Sequence, residues 1–187
     1  MKTWLAVVSL GVAAGFAVSA VADDDHHGGH ENQKRVFRAS LVSYSEVPTS
    51  WSTPATGQFY AVVNKEGDGF TYWLSYSGFT TDVAQSHIHF GQHHTAGGIS
   101  VWLCQGTTRV PATLPIHVQT QTPECPARET TTPIMATITA DDVVGPANQG
   151  IALAEFEELL AAIRAGAAYA NVHSAQFPTG EIRGQLH

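Results

Sequence analysis

Two histidines one residue apart, His87 and His89, stand in the alternating stretch Gln85-Ser86-His87-Ile88-His89-Phe90-Gly91. A third, His173, ends a second such stretch, Tyr169-Ala170-Asn171-Val172-His173. In a β-strand, residues i and i+2 project from one face, about 6.6–7 Å apart. Imidazoles at that spacing converge on a single ion when a neighbouring strand brings a third. A lone strand histidine is most often a hydrogen-bonded core or surface residue; two on one strand face are less often accidental. Three imidazoles without a thiolate suit copper, with zinc as the alternative, whereas Mg and Ca prefer carboxylates. His93 and His94 follow in a Gly-rich segment and are candidate extra ligands, although flexible loops define ligand geometry poorly. A ligating imidazole must be neutral, so metal affinity is expected to fall as pH drops through about 6.5.

The elements that must position these rings read as β-strands. From Arg35, Phe37, Ala39 and Leu41 alternate with Val36, Arg38 and Ser40. Segments 57–64 and 70–76 flank Lys65-Glu66-Gly67-Asp68-Gly69, a hairpin turn. Further strands are expected at 84–90, 99–104, 134–139, 168–173 and 181–186. One segment differs. Phe156, Leu159, Leu160 and Ile163 fall at i, i+3, i+4 and i+7, with Glu155, Glu157 and Glu158 at the start and Gly166 after the end. That pattern predicts a short amphipathic helix over about 155–165 that covers an edge or end of the sheet. The fold class is therefore all-β: an antiparallel sandwich or barrel with one short helix. Glu181 and Arg183 form another i, i+2 pair, expected to be an ion pair or cross-strand tie.

Composition and termini set the setting. Residues 1–22 read as an export signal: Lys2, an apolar run over 4–18, then Ala20-Val21-Ala22 before Asp23. Residues 23–34 are expected to be a disordered His/Asp-rich tail, whose His26, His27 and His30 bind metal only incidentally. Residues 35–187 then form one domain. A net charge of −7 with scattered Lys and Arg argues against nucleic acid as a partner. No later segment is apolar enough to span a membrane, so no membrane association is expected after signal cleavage. Two cysteines, Cys104 and Cys125, are expected to pair as a disulfide in an oxidising compartment, either periplasmic or fully secreted. His117 and His187 look peripheral. No nucleophile triad or phosphate loop is present.

Several blocks together resemble the CHRD domain, the module repeated in chordin and found singly in many exported bacterial proteins. They are Ser86-His87-Ile88-His89, Val101-Trp102-Leu103-Cys104, the run from Thr139 to Pro146, Ala162-Ile163-Arg164-Ala165-Gly166, Tyr169 to Ser174, and Phe177 to Leu186. The resemblance covers roughly Val36 to Leu186. It implies an immunoglobulin-like β-barrel, distantly similar to copper/zinc superoxide dismutase. In that dismutase an H-x-H pair and a later strand histidine hold copper; His87 and His89 match the pair, and His173 the later residue. The bridging histidine and zinc loop have no plain match, because His93 and His94 lie too close to His89, and the disulfide is placed differently. The resemblance thus implies a mononuclear copper-like site and weighs against dismutase turnover.

Three functions follow as expectations. The first is an exported CHRD-domain protein that binds, stores or delivers copper or zinc through His87, His89 and His173. The second is a mononuclear copper enzyme with dismutase-like activity, which needs an open coordination position. The third is a metal-free extracellular scaffold that binds a protein partner, its histidines tying strands together by hydrogen bonds.

Overall fold

The computed structural model describes residues 34–187. The export-signal segment and, apart from Lys34, the His/Asp-rich tail lie outside the described residues.

Eight strands form one antiparallel sheet: β1 (Val36–Val42), β2 (Thr56–Val63), β3 (Gly69–Ser77), β4 (Val83–Phe90), β5 (Gly98–Gln105), β6 (Ile134–Thr139), β7 (Ala168–Ser174) and β8 (Ile182–Gln185). Their order is β5-β4-β7-β8-β1-β2-β3-β6. The sheet curls until it is a nearly closed barrel, and the Tyr72 hydroxyl on β3 donates to the Leu103 carbonyl on β5 across the seam. Alternation sorts the side chains. Phe37, Leu41, Phe59, Tyr72, Leu74, Ile88, Ile182 and Leu186 fill the interior as one apolar core. Val36, Arg38 and Ser40 face away from it, and Arg38 and Ser40 are exposed.

Helix α2 (Phe156–Arg164) matches the expected amphipathic segment. Phe156, Leu159, Leu160 and Ile163 join the core, and the Phe156 ring lies 5.9 Å from that of Phe70. Gly166 takes φ +68°, the left-handed conformation that ends a helix. A second helix, α1 (Ile116–Gln121), was not expected. Its sequence carries three prolines nearby and one buried apolar residue, Val118, too little for a readable stripe. Val118 packs with Trp102 and Val110 in a small satellite cluster. The Cys104–Cys125 disulfide closes this loop as expected, and the Gln105 side chain donates to the Gln119 and Thr122 carbonyls inside it. No helix among the described residues is long and apolar enough to cross a membrane.

One region breaks the inside/outside rule. Every residue of β7 is buried, on both faces. The outward face of β4, β7 and β8 is therefore covered by something other than the core.

Candidate metal centre

That covered face carries the histidines. In the sheet register, His87 pairs with Asn171 and Asn171 with Arg183, while His89 pairs with Tyr169 and Gln85 with His173. Directly opposed residues share a face, so His87, His89, Asn171, His173, Tyr169 and Arg183 all project away from the apolar core. On the far side of β4, the β5 register slips twice, between Ser86 and His87 and between Ile88 and His89. Such bulges re-aim side chains locally. Here they bring the Trp102 indole edge-on to the His87 ring, with centroids 4.3 Å apart.

Two loops roof the face. The first, 91–97, is drawn down by Arg183, whose guanidinium donates to the Thr95 and Gln92 carbonyls at 2.9 and 3.0 Å. Gln185 Nε2 donates to the Gly91 carbonyl, and Gly97 N–H to the Tyr169 hydroxyl. Only glycine fits at 97: a Cβ there would stand 1.8 Å from the Phe90 carbonyl oxygen. The second roof is the turn between β7 and β8. Trp51 packs against its Phe177, ring centres 4.8 Å apart and planes tilted by 42°, and donates to its Gly180 carbonyl. Beneath these covers His87, His89 and His173 are only 0 %, 8 % and 6 % exposed.

The roofs also fix which nitrogens are free. His89 Nδ1–H donates to the Gly97 carbonyl at 2.9 Å, which leaves the lone pair on Nε2. His173 Nδ1–H donates to the Pro178 carbonyl at 2.9 Å, so its lone pair is also on Nε2. His87 Nδ1 faces that atom at 3.2 Å. One nitrogen from each ring thus lies within 4.8 Å of the others, and His89 Nε2 has no hydrogen-bond partner although it is buried. Ring nitrogens bound about 2.0–2.1 Å from one ion stand roughly 3.3 Å apart in a tetrahedron and about 4.1 Å apart when trans. For His89 and His173 the nitrogen opposite the cluster is paired with a backbone carbonyl, the outer contact that metal-ligating histidines make, whereas His87 Nε2 is buried with no hydrogen-bond partner.

Electrostatics keeps the rings neutral. Burial lowers His89 and His173 to about 4, and it lowers His87 well below the ordinary imidazole value, with the neighbouring rings adding to the effect. In the folded protein His89 and His173 therefore take up protons near pH 4, below the ordinary imidazole value of about 6.5. Glu46, on the β1–β2 connection, is 4 % exposed. Burial raises its carboxyl to about 7, and the Arg183 charge only partly offsets this.

Not all the candidates gather here. His93 and His94 are exposed on the first roof loop, their rings 4.9 Å apart, outside the three-ring cluster. His117 pairs with Asp142 at 3.0 Å beside a surface cleft of about 250 Å³, away from the trio. The expected Glu181–Arg183 ion pair is not formed. Arg183 instead spends its donors on the loop carbonyls and lies 3.4 Å from the Tyr169 ring centre, while Glu181 is fully buried with neither carboxylate oxygen partnered by protein. Sequence reasoning missed Glu46 and Asn171. Asn171 carried a signal, an amide two residues before His173 on the same strand face; Glu46 carried none.

No curated protein and no solved structure matches the chain. The sequence model of the CHRD domain matches residues 37–186, from the first core residue of β1 to the last after β8. It spans both loops that roof the histidines and all four strands around them, so the chain belongs to the CHRD domain family.

Proposed function

We propose that this CHRD domain is an exported metal-binding protein that holds one copper ion, with zinc as the alternative, through His87 Nδ1, His89 Nε2 and His173 Nε2. Its role is to bind, store or deliver the ion outside the cell or in the periplasm. The observation that carries this reading is the gathering of three buried ring nitrogens within 4.8 Å, two of them with their tautomer set by a backbone carbonyl. A site whose donors are oriented before the ion arrives loses little conformational freedom on binding. The donor set contains no thiolate and no carboxylate, which suits copper or zinc and not Mg or Ca. Export is supported by the Cys104–Cys125 disulfide, which persists in oxidising compartments.

The test uses tag-free protein and two variants. In one, His87, His89 and His173 are changed to Ala; in the other, His26, His27 and His30. Stoichiometric tight copper binding should vanish in the first and persist in the second. The reverse pattern moves the site to the amino-terminal segment. A wild-type protein that neither retains metal nor gains thermal stability from copper or zinc makes the domain a metal-free scaffold.

A further inference from the structure

Asn171 occupies the centre of the cluster. It lies directly across from His87 in the β4–β7 register and two residues before His173 on the same face. It is 2 % exposed. Its Oδ1 stands 3.0 Å from His173 Nε2. A neutral imidazole has one N–H, and that of His173 is committed to the Pro178 carbonyl. The Asn171 carbonyl oxygen faces the cluster. Two lone pairs then oppose each other at 3.0 Å, a contact that a positive charge between them relieves. The spacing itself fits. Donors about 2.0–2.1 Å from one ion lie roughly 2.9 Å apart at right angles and 3.3 Å apart in a tetrahedron. His173 Nε2 is 3.0 Å from Asn171 Oδ1 and 3.2 Å from His87 Nδ1.

We infer that Asn171 Oδ1 is a fourth ligand, and that it closes the coordination sphere of a divalent ion against solvent. This rests on the three-histidine reading and deepens it. A neutral amide oxygen beside three imidazoles is a borderline-to-hard donor set, which favours Cu(II) or Zn(II) over Cu(I). Four protein donors around the ion make a holding site; catalytic metal sites keep one position for water or substrate.

The test loads tag-free protein with Cu(II) and records its electron paramagnetic resonance in ¹⁷O-enriched water. Wild type should show no directly bound water oxygen. Asn171→Ala should show one, and should bind Cu(II) at least about ten-fold more weakly, the lower end of what is lost when metal-site partners are removed. Asn171→Asp keeps the oxygen and should keep water out. A water oxygen on the wild-type copper overturns the proposal with no variant needed, as does an Asn171→Ala protein with unchanged spectrum and affinity. If the triple histidine variant still gives the wild-type signal, the three-histidine reading itself has failed. If that variant loses the signal while Asn171→Ala behaves as wild type, only the fourth ligand is lost.

Discussion

Acidifying the metal-free protein should destabilise it in a defined window, and the size follows from the buried rings. His89 and His173 titrate near 4 when folded and near 6.5 when unfolded. Below 6.5 the unfolded chain takes up protons that the folded chain refuses. Stability from these groups is complete above about pH 6.5 and drains as pH falls toward 4. Each shift is worth about 3 kcal/mol, and both rings are buried, so solvent screening does little to reduce it. His87 acts in the same direction. Glu46 acts in the opposite direction. Its raised carboxyl costs stability as pH rises through about 4.5 to about 7, so acid restores up to about 3 kcal/mol. The net loss between pH 6.5 and 4 should be on the order of 3 kcal/mol or more, a large share of the 5–15 kcal/mol typical of folded domains. Urea unfolding of metal-free protein at pH 7, 6, 5 and 4 measures it. Glu46→Gln should make the fall steeper, and His89→Gln or His173→Gln should flatten it. A stability that is level or rising as pH drops from 6.5 to 4 would refute the claim that these rings are held neutral by burial.

Other outcomes follow from the roof and the cross-link. Arg183→Gln removes two charge-assisted bonds to the Thr95 and Gln92 carbonyls; it should cost about 2–3 kcal/mol and raise amide hydrogen exchange across residues 91–97. Gly97→Ala places a Cβ on the Phe90 carbonyl, so the loop must shift, the His89 anchor should be lost, and copper affinity should drop while α2 and the barrel keep their circular dichroism. Cys104→Ser with Cys125→Ser should lower stability by about 3 kcal/mol for a loop of this size, read as a lower urea midpoint, and leave copper stoichiometry unchanged.

Much of this architecture was legible because short-range periodicity encodes it. Alternation located the strands, and the i, i+3, i+4, i+7 spacing of Phe156, Leu159, Leu160 and Ile163 located α2. The His87-x-His89 step already placed two rings on one face. What alternation cannot say is which face turns inward. The histidines project outward, and their burial comes from loops at 91–97 and beyond β7 that have no period to read. Arg183 shows the same limit. Its i, i+2 relation to Glu181 suggested a local partner, yet it reaches across space to Gln92 and Thr95, because only the register of β8 on β7 decides what lies above it. Glu46 enters from the β1–β2 connection, where neither spacing nor neighbouring residue type announces a role. α1 stayed hidden because one buried valine makes no stripe.

The central claim is that three rings hold a single ion. X-ray absorption at the metal edge tests it most directly, on protein carrying His26, His27 and His30→Ala and loaded with one equivalent of copper or zinc. The expected result is imidazole scattering from three histidines at about 2.0 Å, lost on changing His87, His89 and His173. A shell of water or carboxylate oxygens with one imidazole or none would contradict it.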